Sequence, residues 1–521
     1  MSKLPDPIRS GLQRGWKVLG GPHGAAPQTI ACDVAIIGSG AGAGITAELL
    51  TRAGLSVVIV EEGPLRSSSD FRQRESEAYP QLYQESAGRK TEDKAISILQ
   101  GRCVGGSTTV NWTSSFRTPP ATLAYWEQYF GLKDYNEQAL EPYFEQAERR
   151  LNVSSWQVPP NENNELLRSG AVKLGIPVES IRRNVQGCWN LGSCGMGCPT
   201  NAKQSQLLTG VPTALAHGAT LHCVGVQLNG AVTADAVRTT ITARHFVLSG
   251  GAINSPAVLM RSGVPDPHGR LGQRTFLHPV VMTAAVMEKR VEGWAGAPQS
   301  LYSDHYLRTQ PIDGPMGFKI EAPPLHPLIL ATSMPGSGQP QADLLSQFPH
   351  THVLLALLRD GFHDQARGGH VKLRGDGSAV LDYPLTDYVM DGARRAMLAM
   401  TEIQFAAGAK QVLPVHEMGQ LYTSWAQARE AIGQLPMKPL LTRVVSAHVM
   451  GGCGLAADER MGVVRPDGVH WQLENLSVHD GSLFPTSVGA NPQLSVYGVV
   501  NRLAQGLVQR LTGQAEAQAL A

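Results

Sequence analysis

Apolar positions recur along this chain with two different periods, and the places where the period changes mark its elements. In 32–63 (CDVAIIGSGAGAGITAELLTRAGLSVVIVEEG) a short apolar run turns through glycines, continues with helical spacing and ends in a second apolar run, which predicts strand, turn, helix, strand. Near the other end, Val496, Val499, Val500, Leu503, Leu507 and Leu511 share one face of 493–511, the stripe of an amphipathic helix. Its start falls at Asn491 and Pro492, an asparagine N-cap followed by proline at the first helical position. Segment 8–19 places Ile8, Leu12, Trp16 and Leu19 on one helical face with Arg9, Arg14 and Lys17 around it. That face predicts a helix docked on its own protein, with peripheral contact to a membrane surface as the alternative. Two further runs, 323–336 and 352–358, contain no charged residue and suit either buried strands or the walls of an apolar binding site.

Composition narrows the class. A length of 521 residues allows more than one domain, and 42% hydrophobic with 17% charged residues is that of a globular chain. Forty-four basic against forty-three acidic side chains leave no electrostatic footprint for nucleic acid, so a small molecule is the expected partner. Seven scattered cysteines argue against a secreted disulfide framework and make the cytoplasm the default, with contact to the inner face of a membrane tied to segment 8–19. No apolar run reaches the ~18 residues of a spanning helix.

Four glycine-rich segments carry the chemistry. Gly38 and Gly40 take the first two positions of a dinucleotide fingerprint and Ala43 the third, where the helix N-terminus offers N–H groups to a pyrophosphate. Glu61 follows the second strand, where a carboxylate accepts hydrogen bonds from a ribose. The loop itself does not distinguish NAD from FAD. GRCVGGSTTVN (101–111) pairs Gly105 with Gly106 ahead of Asn111, and 249–264 has a Gly-Gly turn before a short apolar helix. Finally, SAHVMGGC (446–453) and HDGSLFPTSVGANPQ (479–493) place His448 and Asn491 in turns that need glycine but not an imidazole or an amide. They form a candidate catalytic couple.

In this order the four segments resemble the glucose-methanol-choline (GMC) family of flavin-dependent oxidoreductases, from about Cys32 to the C-terminus. GRCVGGSTTVN is similar to the family's first signature and GAINSPAVLMRSGV to its second, with Pro265 in place of the usual glycine. The HxxGGC around His448 and the GxNP around Asn491 look most like the cholesterol oxidase and long-chain alcohol oxidase branches. The resemblance implies FAD as cofactor, lined by Gly38, Gly40, Ala43, Glu61, Gly105, Gly106, Asn111, Val226, Asp480 and Pro492, with His278 structural. It implies an α/β fold, a discontinuous Rossmann-like FAD domain (30–119, 200–290 and 440–521) and an α+β substrate domain with an antiparallel sheet (120–199 and 291–439). It also implies that His448 takes the hydroxyl proton while hydride leaves the carbinol carbon for flavin N5, with Asn491 donating to the developing alkoxide.

The apolar runs favour a long-chain or sterol-like alcohol over a sugar, and a quinone-like electron acceptor is expected somewhat ahead of O2. A non-redox, hydroxynitrile-lyase-like flavoprotein is the competing class, and a non-catalytic nucleotide module gives no reason for the His/Asn couple. Cys188, Cys194 and Cys198, with five and three residues between them, suggest an iron–sulfur cluster, against which no fourth ligand stands in the sequence. The expectation is no metal.

Overall fold

Two large sheets organise the computed structural model, which describes residues 4–20, 23, 29–224, 239–514 and 520. The first has seven strands, in the order Lys17–Leu19, Thr220–Cys223, Val57–Glu61, Thr29–Ile37, Thr240–Leu248, Leu473–Val478, Val469–His470. All its pairings are parallel except the last. Helix Ala41–Arg52 crosses between the central strands Thr29–Ile37 and Val57–Glu61, so the strand, turn, helix, strand order is formed as a parallel βαβ unit. Gly38 makes the turn at φ +105°, and a Cβ there would lie 2.2 Å from the carbonyl oxygen of Ser249. Helix Gln493–Thr512 closes over the unit, burying Val496, Val499, Val500, Leu503 and Leu507 in the core that also holds Ile36, Ile45 and Leu49.

The second sheet has eight strands and is antiparallel but for one pair. Strands Val280–Val286, Thr351–Leu358 and Phe318–Glu321 run through its middle. One face packs on helix Asp387–Ala406. The other presents Val280, Met282, Val353, Leu357, Leu413 and Val415 to Leu325, Leu330, Met334 and Leu344, which are carried by or next to the helices Pro327–Ser333 and Gln339–Ser346. Glu75 accepts the backbone N–H groups of Leu328 and Ile329 at the start of the first of these helices. The apolar run 352–358 is thus a buried strand, and 323–336 contains the covering helix Pro327–Ser333.

Three sequence expectations change. Strands Ile96–Ile98, Val280–Val286 and Val444–Ser446, inside segments assigned to the FAD domain, belong to the second sheet. Apolar alternation marks a strand but not its sheet. Segment 8–19 is not one helix: helix Pro7–Gln13 ends before Gly15, and Lys17–Leu19 joins the edge of the first sheet beside Thr220–Cys223. Ile8 and Val18 are buried, and Leu12 and Trp16 pack on the same core, so the apolar face turns inward. The C-terminal helix begins at Gln493 with Pro492 at its N-cap, one residue later than expected, because the Asn491 amide bonds elsewhere. Among the described residues no helix is long and apolar enough to cross a membrane.

Candidate active site

The first glycine turn ends on a helix whose N-cap, Gly40, supplies no side-chain hydrogen bond to the first amides, and a Cβ on Gly40 would meet open space. Amides left in this way are donors for an anion. Gly106, at φ +54°, touches this turn so closely that a Cβ would sit 2.9 Å from the Gly40 Cα, and Gly105 N–H donates to Ser39 Oγ at 3.0 Å. Ala43 is buried within the first turn of the helix. Glu61 stands at the end of its strand, accepting from Ser39 Oγ and from Gly63 N–H, and burial pushes its carboxyl up to about 7 despite those bonds. The cradle fits a dinucleotide: bare helix amides, two glycine loops in contact and a carboxylate beyond the second strand.

Other expected cofactor residues have more structural roles. Asp480 spends both oxygens on the protein, accepting from Gly251 N–H and Ser255 Oγ on one side and from Ser482 N–H and Oγ on the other. It ties the 249–255 turn to the 479–483 turn. Asn111 donates to Gln493 Oε1 at 2.6 Å, joining the second glycine loop to the helix that follows Pro492. Val226 lies outside the described residues.

His448 sits at a seam between two ladders. Thr275–Phe276 pairs with Met450–Gly451, and Val280 pairs with Val445, leaving unequal stretches between them in which the two strands separate. Both imidazoles come from this opening. His278 is at φ +43° and buried; its Nδ1 lies 3.3 Å from His448 Nδ1, and its Nε2 accepts Gly489 N–H at 3.0 Å. An acceptor Nε2 places the neutral His278 proton on Nδ1, which then donates to His448 Nδ1 and leaves the His448 proton on Nε2. Buried Asp360 holds the turn, accepting the N–H groups of Leu277 and His278 at 3.1 Å each and the Tyr383 hydroxyl at 2.6 Å. Burial, with the Lys319 ammonium behind it, brings the His448 imidazole down to about 4.

Asn491 follows Gly489 by two residues, so the turn that binds His278 also delivers the amide. Its Nδ2 donates to Glu321 Oε2 at 3.3 Å, and Gln299 Nε2 donates to the same oxygen at 2.8 Å. Glu321 is fully buried, and its Oε1 finds no hydrogen-bond partner among the described residues. Burial lifts its carboxyl to about 7, against the pull of Lys319. Lys319, 1% exposed, pairs with Asp304 at 2.6 Å between the ring faces of Phe116 and Tyr302, each 4.0 Å away. Neither charged residue was singled out from the sequence. The signal was there: in FKIE (318–321) the charges alternate with Phe318 and Ile320, which face the helix-side core, so period two sends Lys319 and Glu321 to the opposite face.

Among the described residues no group of three or more His, Cys, Asp or Glu side chains is arranged to hold an ion.

Comparison with known proteins agrees with this geometry. Two family models described as GMC oxidoreductase, one N-terminal and one C-terminal, match residues 79–280 and 364–499. A long-chain-alcohol oxidase of Arabidopsis thaliana is 28% identical over 92% of this chain and 68% of its own length. An uncharacterised GMC-type oxidoreductase of Mycobacterium tuberculosis is 29% identical over 94% of this chain and 77% of its own. Among solved structures, a formate oxidase of Aspergillus oryzae, studied for its FAD modification, superimposes with a TM-score of 0.67 at 16% identity, covering 94% of this chain and all of that one.

Proposed function

Because the chain belongs to the GMC oxidoreductase family, we propose that it is an FAD-dependent oxidoreductase of apolar, long-chain or sterol-like alcohols. What supports the reading is a chain of buried contacts, from His448 through His278 to the Gly489 turn and from Asn491 of that turn to Glu321, beside an apolar sheet face. FAD, when bound, supplies an acceptor for the hydride of the carbinol carbon. Gly38, Gly40, Ala43, Glu61, Gly105 and Gly106 would hold it, with Asn111, Asp480 and Pro492 fixing the loops around it.

The chain's own part is to hold the carbinol and take one proton. A neutral alcohol that gives up hydride leaves a protonated carbonyl unless a base removes the hydroxyl proton. His448 is the proton acceptor expected from the sequence, and Asn491 is the donor that steadies the alkoxide through the N–H not given to Glu321. A specific observation favours a second assignment. With Gly489 on His278 Nε2, the neutral His448 carries its proton on Nε2 and is itself a donor. Under that assignment Glu321 takes the proton, and the oxygen is held by His448 Nε2–H and Asn491 Nδ2–H. The pH dependence of flavin reduction separates the two: a rise through about pH 4 follows His448, and a rise through about pH 7 follows Glu321.

Val280 and Val445 lie a few residues from the two histidines and open onto the apolar face covered by Leu325, Leu330, Met334 and Leu344. An alkyl or sterol body suits such a surface, which offers a sugar few polar partners. Relatives named as oxidases support O2 as acceptor over a quinone. The test is anaerobic absorbance of the purified protein with a panel of primary, secondary and sterol alcohols, followed by air or a quinone. Bleaching by an apolar alcohol and recovery in air is the expected result. Protein without flavin, or flavin that no alcohol bleaches, would overturn it in favour of a nucleotide module or a lyase-like protein.

A further inference from the structure

A second polar cluster lies against the 105–111 loop. Arg183 and Lys203 are 0% and 2% exposed, yet no carboxylate pairs with either among the described residues. Lys203 Nζ donates to three carbonyls, those of Thr109 (2.9 Å), Asn111 (2.6 Å) and Cys194 (2.8 Å). Arg183 donates to Thr113 Oγ1 at 2.8 Å and through Nη2 to Cys194 Sγ at 3.8 Å, stacks on Trp156 at 4.6 Å, and leaves Nη1 without a partner. Two buried cations without counter-charge are expensive. The groups around them that can become negative are sulfur atoms.

Those sulfurs are placed as acceptors. Cys188 Sγ receives Asn190 N–H at 3.4 Å, and Cys198 Sγ meets Thr200 Oγ1 at 3.4 Å. Cys194 and Cys198 flank a single turn, Cys194–Met196 with Gly197 at φ +84° packed on the Phe71 ring. Cys198 is part-exposed and lines a narrow cleft with Ser68, Phe71, Asn201 and Lys203.

We propose that Cys198 is a peroxide-reactive thiolate and a site of oxidative modification, with Cys194, one turn away, as its resolving thiol. The sulfur of Cys198 attacks one oxygen of hydrogen peroxide; the O–O bond breaks, hydroxide leaves and is protonated to water, and a sulfenic acid remains. Cys194 sulfur then attacks that of Cys198, the S–S bond forms and the second water leaves. Two thiols have lost two electrons, and peroxide has gained them. Burial alone would raise the Cys198 thiol, but the Thr200 hydroxyl, the Lys203 N–H and the Lys203 charge outweigh it and bring it below the ordinary range. Cys32, of similar part exposure on the first sheet, is pushed up by burial and is the internal standard. Oxidation removes the charge that balances Lys203, whose other bonds hold the carbonyls of Thr109 and Asn111 in the FAD loop.

The experiment is peptide mass spectrometry of the holoenzyme after added hydrogen peroxide, independent of which acceptor the flavin uses. A Cys194–Cys198 disulfide is expected in the native chain, a dimedone adduct on Cys198 in Cys194→Ser, and a reduced loop in Cys198→Ser. Iodoacetamide labelling of the untreated native holoenzyme needs no variant: Cys198 is expected to react on the order of tenfold faster than Cys32 at neutral pH. Equal rates, first oxidation at Cys188 or Cys32, or iron or zinc found on these thiols as purified would each overturn the proposal.

Discussion

Replacing Glu321 by glutamine is expected to make the protein more stable in alkali and slower in turnover. Glu321 is fully buried, and its carboxyl is raised from the ordinary 4.5 to about 7. At ~1.4 kcal/mol per pH unit, the ionised form therefore carries a burden of ~3 kcal/mol. The sign follows from proton counts. Between 4.5 and 7 the native chain holds a proton that the unfolded chain has released, so this group's contribution to stability declines as pH rises through that window and is flat above it. A glutamine can place its amide oxygen where Oε2 now accepts from Gln299 and Asn491, and its NH2 where Oε1 has no partner. The variant should come close to the native protein at pH 4 and exceed it by up to ~3 kcal/mol at pH 8. Thermal melting of both holoenzymes across this range, with flavin retention as a control, reads the difference. Parallel curves would refute the reasoning, since they would mean that Glu321 does not ionise against a buried environment. Stopped-flow reduction of the same variant should lose its step near pH 7 if Glu321 takes the proton.

His448→Ala is expected to keep FAD and to lose ~10²-fold or more in the rate of anaerobic reduction, the usual contribution of a general base; an apoprotein would instead mark a structural histidine. Gly106→Ala places a Cβ 2.9 Å from the Gly40 Cα at φ +54°, so its flavin content by absorbance ratio should fall, and full occupancy would show that the two loops can separate freely. Burial holds His245 down to about 4 and His479 to about 3, so the unfolded chain binds these protons first as pH falls. Stability is therefore expected to drop from near pH 6.5 toward 4, with flavin release as the readout, and a flat profile over that range would contradict the buried neutral state of the pair.

The parts of this molecule that are local in the chain were the legible ones. Gly38, Gly40 and Glu61 sit in one βαβ unit whose order can be read along 32–63, and the apolar stripe of 493–511 is continuous. The site is not local. His278 drew only a structural reading because nothing near it in sequence shows that the ladder opens opposite His448, more than a hundred residues away. Asn491 reads from the sequence as a cap and as half of the His/Asn couple, but the buried Glu321 that takes its amide lies far away in the chain, on a strand of the second sheet. Segment 8–19 kept its apolar face but broke at Gly15, since a strand edge was available to Lys17–Leu19 that no helical period could announce.

The seam between the two ladders also bears on how substrate gets in. The chain passes from Thr275–Phe276 into Val280–Val286, and back from Val444–Ser446 to Met450–Gly451, so backbone pairs cross the site on both sides of the imidazoles. Two bodies stitched in this way cannot swing apart as a clamshell without unpicking those pairs. Under the proposed function, entry of a long alcohol would then fall to the covering pair Pro327–Ser333 and Gln339–Ser346, which Glu75 fastens at one end. Access and chemistry would thus be tuned by different stretches of sequence, and a wider range of alcohols could be admitted by changing the cover without touching the machinery beneath it.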